Sequence, residues 1–258
     1  MRALTGNQFT AEGTAMRTLS LIALLAGAVA AASLSGEQIL DKMDGNRDHR
    51  TVTADARMEI HIGDEVRSKN MRIKGMTDGN RSIVEFTNPE DEGTKYLMLE
   101  DNLWIYFPQE QEVVRISGHM LKDGMMGSDV SYEDALEADQ LRNKYDVSVV
   151  GEQTYNERPC YVLELNATTR DAPYYKRKMW VDKETFVAWK EEMFAKSGKL
   201  LKEATVLAAD TIGGRHFPVK TKMEDKLRRN SHTIFEMTNV ELDKPLDEDM
   251  FSMRYLRR

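Results

Sequence analysis

TVTADARMEIHI, Thr51 to Ile62, is the stretch that decides the fold. Ala54, Ala56, Met58, Ile60 and Ile62 alternate with Thr53, Asp55, Arg57, Glu59 and His61. Side chains that change face at every residue make a β-strand, and one dry face beside one wet face marks an antiparallel sheet packed on one side. The alternation directs Met58, Ile60 and Ile62 into an apolar interior, and Arg57, Glu59 and His61 toward water.

Outward from this strand the same grammar repeats. Just upstream, SGEQILDKMD (Ser35 to Asp44) sets Ile39, Leu40 and Met43 on one helical stripe, with Ser35 as cap and Gln38 three residues on. Downstream, strand-like runs at Val66–Met76, Arg81–Thr87, Lys95–Glu100, Asn102–Phe107 and Glu112–Ile116 are divided by hairpin joints such as Asp78-Gly79-Asn80 and Asp101-Asn102. After residue 145 strands resume at Tyr145–Val150, Pro159–Ala167, Tyr174–Val181, Phe186–Phe194, Leu200–Leu207, His216–Glu224 and Ser231–Leu242, an antiparallel meander.

Between the two series lies WIYFPQEQEVVRISGHMLKDGMMGSDVSYED, Trp104 to Asp134. Its strands run into a loop where Met120, Met125 and Met126 mix with Gly118, Gly124 and Gly127. Methionine is unbranched and polarizable, so such a cluster either moulds itself around apolar ligands or fills a core. Ser131 to Tyr145 then has helical composition, with Ser131 as N-cap and Glu133 and Asp134 in the first turn.

About a dozen strands and two or three helices define a mainly β (α+β) chain. A sheet that large must curl or split, so the expected fold is a large curved antiparallel sheet, an incomplete β-barrel whose helices cover an apolar cavity. The expected cavity residues are Met58, Ile60, Ile62, Trp104, Tyr106, Met120, Met125, Met126 and Tyr132.

The N-terminus indicates a compartment. Arg17 precedes an apolar run from Leu19 to Ala32 that ends in small residues, a secretory signal peptide with Met16 as its natural start. Residues 1–32 are expected to be removed and 33–258 to form a single domain in the periplasm. The run is shorter than the ~20 residues that span a bilayer. The chain has one cysteine, Cys160, among its 258 residues. It is not at the cleavage site, so the exported protein is expected to be free of lipid anchors and of intrachain disulfides.

The net charge of −7 argues against nucleic acid as a partner. No G-x-S-x-G, H-E-x-x-H, P-loop or G-x-G-x-x-G occurs. His61 and His119 lack a companion nucleophile, and Asp41 to Asp48 would put Leu40 and Lys42 where a calcium loop needs oxygen ligands. No metal, cofactor or enzymatic activity is expected.

Taken together, YFP (106–108), RISG (115–118), MMGSDVSYEDAL (125–136), KRKMWVDKETFVAWKEEMF (176–194) and MFSMRYL (250–256) resemble the outer-membrane lipoprotein-sorting protein (LolA/LolB-like) superfamily, in a longer branch. The resemblance implies a half-barrel that shelters the acyl chains of a lipoprotein or lipid across the periplasm, as a monomer. It also implies an inner-membrane transporter of the ABC or RND type as donor and an outer-membrane acceptor. Alternatives on the same fold are an envelope-stress sensor and an accessory lipid-binding protein of an RND-type exporter; a lipid-modifying enzyme is a third.

Overall fold

The computed structural model describes residues 34–137 and 141–258. The signal peptide at 1–32 and the start at Met16 lie outside the described residues.

Helix α1 (Gly36–Gly45) begins at a full capping box: the Ser35 hydroxyl accepts from the Gln38 backbone N–H, and the Gln38 side chain accepts from the Ser35 backbone. Both satisfy donors that a helix start leaves unpaired. The N-terminal strands are β1 (Thr51–Ile62), β2 (Glu65–Met76), β3 (Arg81–Phe86), β4 (Lys95–Leu99), β5 (Asn102–Phe107) and β6 (Glu112–Ile116). Two short helices follow, α2 (Tyr132–Glu137) and α3 (Leu141–Lys144). The chain then returns through β7 (Tyr145–Tyr155), β8 (Arg158–Ala167), β9 (Lys176–Asp182), β10 (Ala188–Phe194), β11 (Leu200–Ile212), β12 (Arg215–Asp225) and β13 (Ser231–Leu242), and ends at α4 (Met253–Leu256).

All thirteen strands form one antiparallel sheet ordered β6-β5-β4-β3-β2-β1-β13-β12-β11-β10-β9-β8-β7. It is a large curved sheet, mainly β, that does not close: an incomplete barrel. The order has a topological consequence. β6 and β7 are consecutive in sequence but occupy opposite edges, so the segment between them must cross from one edge of the sheet to the other.

Register shows which face it crosses. Ile60, Thr233, Met223, Ala204, Glu191, Met179 and Leu163 stand opposite one another strand by strand, and directly opposed residues share a face. On this inner face, Met58 and Ile60 join Met71, Phe86, Leu103 and Ile105 in one core, against which Met120, Leu121, Met125, Met126, Tyr132 and Leu136 pack. The crossing segment therefore runs over the inner face. A second core under α1 joins Ile39 and Leu40 to Leu163, Leu165, Met179 and Val181. Each such side chain, fully buried, contributes roughly 1.5–3 kcal/mol. The helix sits so close to β7 that a Cβ at Gly36 would lie 3.0 Å from the Val147 carbonyl oxygen.

The outer face is covered differently in its two halves. Over β3–β5, the C-terminal segment lays Phe251 and Leu256 on Ile83, Leu97, Trp104 and Tyr106. Over β9–β13 the cover is a ladder of ion pairs, including Lys190 with Glu192 and Glu203, and Lys222 with Glu224. Cys160 is fully buried beside Val162 and Trp180, and burial raises its thiol pKa, as expected of a structural cysteine.

Of the helix expected over 131–145, residues 132–137 and 141–144 are helical. Tyr145 is taken into the edge strand, paired with Ala167, and its buried hydroxyl donates to the Tyr174 carbonyl. Among the described residues no helix is long and apolar enough to cross a membrane.

Candidate functional site

Between the two inner cores, strands β10 to β12 carry almost no fully buried residue: β11 is half-buried or exposed throughout, and β12 buries Val219 alone. That uncovered stretch of inner face is the wall of a hollow of about 1160 Å³. The size lies at or above the upper end of the roughly 300–1,000 Å³ typical of ligand pockets. Its apolar wall comprises Met179, Phe186, Ala204, Val206, Phe217 and Met237, and its mouth is rimmed by Asp44, Asn46, Asp48, His49, Asn80 and Asp101.

The mouth is fixed by the end of α1. Asn46 donates to the Thr185 carbonyl at 2.8 Å and accepts from the His216 backbone N–H at 3.0 Å, tying the helix terminus to two strand tips. Arg142 of α3 holds Asp41 and Asp44 at 2.7 Å.

The inner end is closed by charge. Immediately beyond the row Met179–Glu191–Ala204 comes the row Arg177–Met193–Lys202. Arg177 pairs with Glu191, and Lys202 pairs with Asp134 of α2. The Tyr174 hydroxyl also donates to Asp134, and the Arg177 guanidinium lies 5.6 Å and 5.5 Å from the centres of the Tyr145 and Tyr174 rings. Burial opposes ionisation of Asp134, but the Lys202 ammonium, with hydrogen bonds from Lys202, Tyr174 and Ser131, holds its carboxyl below the usual range. Burial likewise works against the charge on Arg177, and Glu191 restores it. Charges this buried persist only as pairs.

The methionine loop is pinned rather than loose. The Asp129 carboxylate, buried, accepts from the hydroxyls of Ser231 at 2.9 Å and Thr233 at 2.8 Å and from the Asp225 backbone at 3.3 Å. Arg228 donates to the carbonyls of Gly127 and Ser128. Gly124 is obligatory, since a Cβ there would lie 2.0 Å from the Ser128 oxygen. Ser131 caps α2 as expected, its hydroxyl accepting from the Asp134 N–H at 3.2 Å.

The residues expected to line a cavity separate into two groups. Met58, Ile60, Ile62, Met120, Met125, Met126 and Tyr132 come together, but as the packed core beside the hollow, and none of them is on its wall. Trp104 and Tyr106 stand on the outer face beneath the C-terminal segment, because in β5 it is Leu103 and Ile105 that point inward. The residues on the wall and the ionic end escaped the sequence reading. Only the paired charge signs of Arg177, Glu191 and Lys202 within strands hinted at them, and surface ladders carry the same pattern. Among the described residues no group of three or more His, Cys, Asp or Glu side chains could hold a metal ion.

A family model described as an uncharacterized protein matches residues 78–258. A DUF1329 family protein from Desulfovibrio piger superposes with a TM-score of 0.81 at 26% identity, over 86% of this chain and 97% of its own. An outer-membrane lipoprotein-sorting protein domain from Vibrio parahaemolyticus does so at 0.76 and 23%, over 86% and 98%. A LolA superfamily protein from Nitrosomonas europaea gives 0.72 and 23%, over 86% and 100%. Among curated sequences, an uncharacterized protein of Methanocaldococcus jannaschii is 48% identical over 53 residues, which span 20% of this chain and 15% of that relative.

Proposed function

We propose, from the likeness of this fold to a DUF1329 family protein and to outer-membrane lipoprotein-sorting (LolA superfamily) proteins, that the chain is a periplasmic carrier which holds the acyl chains of a lipoprotein or lipid in its hollow and passes them toward the outer membrane. The observation that carries this reading is the unfilled stretch of inner face over β10–β12, apolar on its wall and open at one end. Burial of a methylene is worth about 0.8 kcal/mol, so roughly ten of them supply enough to offset the cost of association and still allow release. Binding by burial needs no covalent step, which suits a protein that must deliver what it holds.

Native mass spectrometry of the protein purified from its own periplasm tests this reading, together with transfer of the bound species to acceptor membranes. A copurified acyl ligand that moves quantitatively to the acceptor supports a carrier. A ligand retained without transfer would instead indicate a sensor or an exporter accessory, and chemical turnover an enzyme. Recovery of a protein that binds no acylated species would end the proposal.

A further inference from the structure

The hollow is apolar along its wall but not at its inner end. Glu191 lies on the transverse row with Met179 and Ala204 and lines the hollow. Its side chain keeps 16% of its surface exposed. Arg177 Nε donates to Oε1 of Glu191, while an Arg177 terminal nitrogen is turned to the Met193 sulfur at 3.8 Å. Oε2 of Glu191 is therefore left without a hydrogen-bond donor from the described residues. A tail inserted methyl-first would end against this carboxylate, burying an acceptor with nothing to satisfy it.

Resting on the carrier reading, we infer that the hollow selects amphiphiles whose polar end is a hydrogen-bond donor, above all an ammonium, seated on Glu191 Oε2 with the alkyl chain along Ala204, Val206 and Met237. An anionic head in the same place would meet a like charge at hydrogen-bonding range. The mouth adds to this bias, since Asp48 and Glu100 stand there beside Asp41 and Asp44, which Arg142 holds. Arg177 is committed to Oε1 and packed under the tyrosine rings, so it balances Glu191 without offering an anion site.

The test compares two probes of equal chain length, dodecylammonium and dodecanoate, by calorimetry near neutral pH on the full chain. The expected preference for the ammonium is roughly ten- to a hundredfold, the range of one hydrogen bond to a charged group. Glu191→Gln should abolish most of it, because the seat for the ammonium loses its charge. If that variant fails to fold, the double replacement Arg177→Met with Glu191→Gln removes both charges and should keep only the small preference that the mouth provides. Mouth variants Asp48→Asn and Glu100→Gln should leave most of the preference in place. Equal affinities in the parent, or an unchanged ratio in Glu191→Gln or in the double variant, would overturn the inference while leaving a carrier of acyl chains standing. Failure of the parent to bind either probe or any acylated peptide would overturn the carrier reading, and this one with it.

Discussion

Strands β1 and β11 are nearly equal in length and belong to one sheet, yet the sheet uses them in opposite ways. β1 buries Ala56, Met58 and Ile60 beneath the methionine loop and leaves Arg57 in water. β11 buries nothing completely: Ala204 and Val206 face the hollow, while Leu207 is exposed. The difference lies in the cover. Over β1 the crossing segment is apolar, with Met120, Leu121, Met125 and Met126 filling the space. Over the inner end of β11 it is polar, touching the sheet through the pair of Asp134 with Lys202, and among the described residues none fills the wall below. A curled sheet with one half packed and the other bridged by an ion pair keeps its fold and its empty space in separate places.

The sharpest way to break this comparison is to place a charge on each strand. Ile60→Asp should cost on the order of 5 kcal/mol or prevent folding, through an unpaired buried carboxylate. Val206→Asp should cost about 1 kcal/mol or less and yet abolish binding of an acylated peptide, since its charge enters a space open to water. Equal losses in chemical denaturation would mean that the wall of β11 is as much core as β1.

Next in size is the ionic bridge. Lys202→Met leaves Asp134 buried without its partner and should cost about 3–5 kcal/mol, whereas replacing both residues with apolar ones should restore much of the loss. A double-mutant cycle with no coupling would show that α2 is held by other contacts.

Acid should weaken the same bridge. Because the Asp134 pKa in the folded protein lies below its ordinary value, the stabilisation it provides is complete above about pH 4 and is lost as pH falls through the folded pKa. Denaturation curves from about pH 5 to pH 2 should therefore be less steep in pH for Asp134→Asn than for the parent. An unchanged slope would locate the acid-sensitive groups elsewhere.

The smallest effect belongs to the wet face of β1. Glu59→Lys should change stability by about 0.5 kcal/mol or less, because its pairs with Arg57 and His61 are partly solvated. A loss approaching that of Ile60→Asp would mean that the outer face of β1 is covered as well.

Much of the fold was legible because its rules are local. The alternation of β1, the capping box at Ser35 and Gln38, and the turn at Asp78-Gly79-Asn80 each dictate structure from adjacent residues. Most strands of both series were therefore placed nearly to their ends, although β7 and β11 each run five residues past the expected stop. The hollow was not legible, for a physical reason: whether Met58 or Val206 lines empty space depends on what the crossing segment lays over it, which is settled by pairings between residues far apart in sequence. Trp104 and Tyr106 show the same limit. In β5 both faces are apolar, and only the C-terminal segment lying over one of them tells inside from outside. Asp134 read correctly as a first-turn acid of a helix, but its second role, as the anchor for Lys202 and Tyr174, depends on β9 and β11 being brought beneath that helix.

The central claim, that acyl chains lie against the wall of β10–β12, is tested most directly by a tryptophan placed there. Phe217→Trp puts an indole on the hollow, whereas Trp104, Trp180 and Trp189 are not on its wall. With an acylated peptide brominated along its chain, the account predicts strong quenching of the new fluorescence and little change in the parent protein. Binding of the peptide with no quenching at residue 217, or with equal quenching in parent and variant, would contradict it.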